Sequence, residues 1–321
     1  MGAPRPTPPP TPQAQPQPTT TWHSYDLPFR VLNIASDGRL LWICGTEEAI
    51  AVSDDSGEHW QVKHIREGSS RSLLHVDFVD SKFGYATGTE GTFLTTADGG
   101  ETWLSRPGVN ETIMQASLAD SEHALIQTTS ALLLTVDGGS HWSPVPAGQT
   151  AEGIEGFPYV FSLVALDKAH MAVMLKQGPA QYYAQAFFVT EDSGRSWTFL
   201  NLPNVTLYSF LRAGGQYWAV GTEVVHKDQP GGGYAVPVAL YSSDGRNWSH
   251  STGDLSACKP ALCTACTNQG CFASKGVIAQ IFVERTICRE FPPVEEPGPR
   301  WASTDSTICF VGHRLQCAPL K

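Results

Sequence analysis

The sequence predicts an all-β fold: a seven-bladed β-propeller of four-stranded antiparallel blades. Three observations predict it. A short turn motif recurs five times. Its copies are spaced at about the length of one blade. The residues before each copy run in short alternations of apolar and polar side chains, as half-buried strands do.

The motif is Ser/Thr-x-Asp-x-Gly-x-x-Trp, an Asp box. Its copies are residues 53–60, 96–103, 135–142, 190–197 and, one residue shorter, 242–248. Asp55, Asp98, Asp137, Asp192 and Asp244, with the Ser or Thr two residues earlier, can accept hydrogen bonds from turn N–H groups. Gly57, Gly100, Gly139 and Gly194 tolerate the positive φ of a tight turn. Trp60, Trp103, Trp142, Trp197 and Trp248 cap the turns and carry apolar area into the core. Each box is therefore a hairpin tip, and its aspartate is architecture rather than a catalytic acid.

The box tryptophans step by 43, 39, 55 and 51 residues, and a four-stranded blade runs to about 40–45 residues. The second blade is the clearest, with runs at 75–80, 84–89 and 91–96. Segments 41–46 and 217–222 match its second strand. At the N-terminus, 22–28 resembles the outer strand that follows a box; at the C-terminus, 301–303 and 307–312 read as first and second strands. The last blade would then combine both chain ends and leave no open sheet edge. The propeller is expected over 22–321. Residues 255–298 form either a degenerate sixth blade without a box or an insertion, which would leave six blades. Residues 1–21 are Pro-rich. Proline fixes φ and cannot donate to a sheet, so this stretch is read as a disordered tail or an extended tether.

The hydrophobic fraction of 41% suffices for a core, and the formal charge of −10 argues against a phosphate backbone as partner. No apolar run of about 18 residues suggests a membrane span, and no apolar segment suggests a signal peptide. Periplasmic or extracellular residence is still expected, with tethering through an export or anchor segment missing from this sequence. The expectation rests on cysteine usage. Seven of eight cysteines, Cys258, Cys263, Cys266, Cys271, Cys288, Cys309 and Cys317, crowd the last 64 residues. An even total of eight, crowded mostly into one region, favours disulfides in an oxidising compartment. The spacing Cys258-x4-Cys263-x2-Cys266-x4-Cys271 leaves zinc or free thiols as alternatives. No phosphate loop, nucleophile elbow, haem motif or paired histidine spacing is present, so no cofactor, metal or catalytic residue is assigned, and a monomer is expected.

The stretches Phe78-Val79-Asp80, Gly84-Tyr85-Ala86, Gly88, Gly91 and Thr96–Trp103 resemble the repeat of the photosystem II stability/assembly-factor family, a BNR-type Asp-box propeller family. The resemblance covers about residues 22–250. It implies a seven-bladed propeller in an extracytoplasmic or lumenal compartment, whose photosynthetic members assemble a membrane complex by direct binding. The proline tail and C-terminal cysteines depart from the photosynthetic pattern and point to a non-photosynthetic bacterial relative. Asp boxes also occur in sialidases, which sets the alternative of a secreted glycoside hydrolase. Such an enzyme needs three converging arginines. Phe29-Arg30-Val31 faintly resembles the first-arginine motif, but Val31 and Leu32 break it. Arg195 and Arg246 fall inside box turns, leaving Arg212 and Arg285.

Loop length locates a binding face. Within a blade the box shares one end with the first–second turn; the second–third turn and the link between blades share the other. Long second–third connections at 176–183 and 225–234, and the cysteine segment after them, put extra material on the face opposite the boxes. Tyr182, Tyr183, His226 and Tyr234 are the contact candidates there. The expected function is a non-enzymatic scaffold that recognises a protein or glycan partner on that face.

Overall fold

A computed structural model describes residues 23–36, 39–106, 108–145, 159–177, 184–200, 202–213, 215–225 and 233–251. Beyond these it describes seven strand segments between 266 and 319. The described residues form seven four-stranded antiparallel sheets. Strand β1 (His23–Ser24) belongs to the last sheet. The first sheet is β2 (Val31–Ser36), β3 (Leu41–Gly45), β4 (Ile50–Ser53) and β5 (Gln61–His64). The second is β6 (Leu73–Phe78), β7 (Gly84–Gly88), β8 (Phe93–Thr96) and β9 (Leu104–Ser105). The third is β10 (Ile113–Leu118), β11 (Ala124–Thr128), β12 (Leu132–Thr135) and β13 (Ser143–Pro144). The fourth is β14 (Tyr159–Ala165), β15 (Met171–Gln177), β16 (Ala184–Thr190) and β17 (Thr198–Leu200). The fifth is β18 (Val205–Ala213), β19 (Gln216–Val225), β20 (Tyr234–Ser242) and β21 (Ser249–His250).

Residues 266–290 supply the sixth sheet: β22 (Cys266–Thr267), β23 (Gly270–Ala273), β24 (Val277–Phe282) and β25 (Arg285–Glu290). In the last sheet, β26 (Arg300–Ser303), β27 (Thr307–Val311) and β28 (Leu315–Pro319) are completed by β1, with His23 opposite Cys317. Both ends of the chain therefore share one sheet.

The core lies between sheets, not within them. Trp42, Ile50 and Val52 of the first sheet pack on Leu73, Val76 and Leu94 of the second. Tyr85 and Phe93 pack on Ile113 and Ile126 of the third. Leu125 and Leu134 meet Val160 and Val173 of the fourth, and Phe187 and Val189 meet Phe210 and Tyr217 of the fifth. Ile34, Leu41 and Ile43 meet Cys309, Leu315 and Cys317 of the last sheet. Among the described residues, the first four sheets bury both faces against their neighbours, which is how a propeller satisfies apolar residues on alternate positions of every strand.

Five boxes share one hydrogen-bond pattern. The Gly100 N–H donates to Thr96 Oγ1 at 2.9 Å, the Thr96 hydroxyl to Asp98 Oδ1 at 2.8 Å, and the Thr102 N–H to the same Oδ1 at 2.9 Å. The fifth box, one residue short, keeps these roles: Gly245 N–H donates to Ser242 Oγ at 2.8 Å and Asn247 N–H to Asp244 Oδ1 at 2.8 Å. The box then rests on the preceding sheet. A Cβ on Gly100 would overlap the Trp42 indole, one on Gly194 would overlap Leu134, and one on Gly57 would meet Cys317 Sγ and Cys309 Sγ. In the last sheet a disulfide, Cys309–Cys317, thus occupies the place filled elsewhere by a core side chain.

Candidate interaction face

The two ends of the ring differ in chemistry. At the box end, first–second turns are tied to boxes by backbone bonds: Gly99 N–H to Lys82 O at 2.8 Å, Gly138 N–H to Glu122 O at 2.9 Å, Ser193 N–H to Ala169 O at 3.1 Å. The turns are themselves fixed by Asp80, Asp120 and Asp167, whose Oδ1 atoms accept from the N–H groups two and three residues on. Backbone donors leave Asp80 below the usual carboxylate range.

Arg212 closes the channel at this end. It stands near the end of β18 and donates from Nη1 to Leu118 O (3.2 Å) and Ala165 O (3.3 Å), and from Nη2 to Phe78 O (3.3 Å). Those carbonyls end β10, β14 and β6, so one guanidinium ties four innermost strands together. Shorter links join neighbours: Val76 N–H to Asn33 Oδ1, Gln115 Nε2–H to Val160 O, Ala165 N–H to Ser117 Oγ, and the Ser162 hydroxyl to Phe210 O.

The opposite face carries a pocket of about 480 Å³ between the first and second sheets. Glu48, His64, Arg66, Arg71, Glu90 and Arg106 supply its titratable lining. They come from second–third turns, from links between sheets and from the outer strands. Glu48 is buried and accepts from Ser69 Oγ at 2.9 Å, with Arg66 Nη1 at 3.8 Å. Arg71 Nε reaches Glu90 Oε2 at 3.1 Å, and Arg106 Nε donates to Thr95 Oγ1 at 2.9 Å. Burial pushes the His64 imidazole down; Glu48 opposes this and Arg66 adds to it. Its Nε2 has no partner. Three arginines against two glutamates leave this pocket net positive on a chain of charge −10. Guanidinium groups held on a rigid rim suit carboxylates, which they grip through two parallel bonds.

The strand ends that flank the long connections, at Gln177, Ala184, Val225 and Tyr234, also lie on this face. β19 has 10 residues where β3 has 5, which carries the fifth hairpin about 16 Å further at ~3.3 Å per residue. Tyr234 begins β20, opposite Val225, and is 56% exposed. Tyr182, Tyr183 and His226 lie outside the described residues. Ala239 O accepts from Ser251 N–H at 2.8 Å, so it points to the outer edge. Pro237, two residues earlier, shares that direction, and its missing N–H blunts the edge against further strand addition.

The arginines weighed for glycoside hydrolysis are apart. Arg30 precedes β2 at one end of the channel, Arg212 is held at the other, Arg195 and Arg246 are exposed in boxes, and Arg285 begins the outer strand β25. Among the described residues no three arginines converge at the channel. Asp55, Glu58 and His59 lie close together in the first box, but the His59 Nδ1–Asp55 Oδ2 contact of 2.7 Å accounts for their spacing. Of the cysteines, Cys309 and Cys317 are bonded and Cys44 is a buried thiol donating to Leu73 O at 3.5 Å. Cys266, Cys271 and Cys288 stand on β22, β23 and β25, with Cys266 opposite Cys271; Cys258 and Cys263 lie outside the described residues. Sequence reading missed Arg66, Arg71 and Arg106 because they belong to no motif.

Fold and boxes together define an Asp-box β-propeller, with Arg212 at one end of its channel and a pocket of three arginines and two glutamates on the face opposite the boxes. The chain is photosystem II assembly factor-like. A model of the family described as photosynthesis system II assembly factor YCF48 matches residues 68–223. The photosystem II assembly lipoprotein Ycf48 of Synechococcus sp. (strain CC9902) is 26% identical over 107 residues, 32% of either chain. The chloroplastic photosystem II stability/assembly factor HCF136 of Arabidopsis thaliana is 27% identical over 156 residues, 46% of this chain and 36% of that one. The matched stretches span only about a third of these curated relatives, 32% and 36%. A solved structure titled YCF48 bound to D1 peptide aligns over 94% of this chain and 97% of its own, with TM-score 0.49 and 15% identity. Among the described residues no helix is long and apolar enough to cross a membrane.

Proposed function

We propose that this chain is a non-catalytic binding scaffold that holds a protein partner, through carboxylate groups, on the face opposite the Asp boxes. The observation that carries this reading is the pocket where Arg66, Arg71 and Arg106 gather on the rim of an acidic protein. Counter-charge from Glu48 and Glu90 is incomplete, so an incoming carboxylate gains partners without breaking the core. The family match, to an assembly factor, supports a protein partner over a glycan. The buried Cys309–Cys317 disulfide and a relative described as a lipoprotein support an extracytoplasmic location, at or near a membrane.

The test is charge reversal. Arg71→Glu with Arg106→Glu is compared with Arg195→Glu on the box end, each in a tagged full chain expressed in its own cells. Partner proteins are quantified by mass spectrometry after native isolation. The pocket variant should lose tenfold or more of a partner that the Arg195 variant retains. Equal recovery from both would sink the reading.

A further inference from the structure

The innermost strands repeat an irregularity that the boxes do not explain. Five of them slip register by one residue against their second strand, at Val31/Asn33, Leu73/His75, Ile113/Gln115, Val160/Ser162 and Leu207/Ser209. Each slip inserts one extra residue: Leu32, Leu74, Met114, Phe161 and Tyr208. A bulge leaves its extra residue out of the ladder and bends the strand. An innermost strand has a sheet partner on one side only, the other side being the channel. Every slip lies near the start of its strand, at the channel end opposite Arg212.

The occupants of these positions are the unexpected part. A residue outside the ladder is free to be polar, yet all five are large and apolar or aromatic by sequence. Leu32 and Leu74 are half-buried, and Met114 is 45% exposed although Ile113 beside it is fully buried. The next residue inward is polar in every case (Asn33, His75, Gln115, Ser162, Ser209), and Asn33, Gln115 and Ser162 bond to the neighbouring sheet. Packing therefore accounts for the polar position and leaves the apolar one unexplained. Apolar side chains left partly or wholly exposed at matching positions of neighbouring sheets, as Leu32, Leu74 and Met114 are, mark a contact surface.

We propose that Leu32, Leu74 and Met114 form an apolar arc at the channel mouth that seats the hydrophobic anchor of an acidic polypeptide segment. The occupant is argued from charge and continuity. The arc crosses the first three sheets, and the arginine pocket lies between the first two on the same face. Arg71 stands three residues before Leu74, and exposed Arg30 two before Leu32. A segment with an apolar or aromatic side chain followed by carboxylates would meet both at once. This rests on the binding reading above and adds the kind of sequence bound.

The experiment selects a phage-displayed library of random 12-residue peptides on the folded full chain, then measures enriched peptides by fluorescence anisotropy. Met114→Ser and Leu74→Ser are compared with Arg71→Glu/Arg106→Glu, and Leu74→Met serves as the conservative control, with melting temperature recorded for each. The proposal expects enriched peptides pairing an aromatic or aliphatic residue with acidic ones. Affinity should fall at least fivefold in Met114→Ser, whose site is exposed enough to leave folding intact, and persist in Leu74→Met. Peptides that lose affinity only with the arginine variant overturn the arc and leave the arginine reading standing. No enrichment at all overturns both.

Discussion

At the scale of single residues, the Asp box converts a few side chains into a rigid corner. Gly100 shows how tight that corner is. Its φ is +88°, a value costly for any residue with a Cβ, and that Cβ would also strike the Trp42 indole. Gly68 has φ +75° but open space around it. Gly100→Ala should therefore cost about 3 kcal/mol, backbone strain plus overpacking, against about 1 kcal/mol for Gly68→Ala. Equal costs in urea unfolding would contradict the packing of box on neighbouring sheet. The box carboxylates make a second prediction. The Thr102 hydroxyl, then its N–H, hold Asp98 down to about 2, and Ser196 does the same for Asp192. Their folded values lie below the unfolded value of about 4. Their contribution is full above the unfolded value and is lost as pH falls through the folded one. Melting temperature should drop between about pH 4 and 2, less steeply in Asp98→Asn, as scanning calorimetry would show. A melting temperature flat to pH 2 would rule this out.

At the scale of elements, the last sheet is the one assembled from both chain ends. Cys309 and Cys317 face each other across β27 and β28, and β1 pairs with β28 on the far side. The cross-link closes a loop of sequence separation 8, worth about 2.5 kcal/mol by loop-closure entropy. Cys309→Ala with Cys317→Ala should lower stability by roughly that amount and speed amide exchange first in β1 and β28. Reductant should lower the melting temperature of the parent chain by more than that of this variant, the difference being the contribution of this one cross-link. Uniform loss of protection across all seven sheets would contradict a clasp confined to this one.

What could be read in advance also divides by scale. Box turns were legible because the bonds that shape them, from Gly N–H to Ser/Thr and from N–H groups to Asp, span four residues or fewer. The slipped register of the innermost strands left a fainter trace: Gly45, Gly88 and Gly221 stand opposite it, where a Cβ would overlap the carbonyls of Arg30, Ser72 and Thr206. Nothing local announces Arg212, whose acceptors lie as far as 134 residues away. The arginine pocket was equally hidden, since Arg66, Arg71 and Arg106 meet only when two sheets pack side by side. Loop length pointed to the same face as the proposed arginine pocket, and Tyr234 is exposed there.

At the scale of the whole molecule, the ring has one end sealed by boxes and Arg212 and one end that offers charge and apolar surface. The central claim is that partners meet the second end. Site-specific photo-crosslinking tests it most directly. A benzophenone amino acid is placed at Glu67 or Asn110 on the pocket face, and at Ser121 or Ser140 on the box face, all four positions being exposed. After irradiation in the producing cells, covalent protein adducts are resolved by electrophoresis and identified by mass spectrometry. The account predicts a discrete adduct from Glu67 and Asn110 that is lost in Arg71→Glu/Arg106→Glu, and none from Ser121 or Ser140. Adducts formed chiefly from the box face, and indifferent to the arginines, would contradict it.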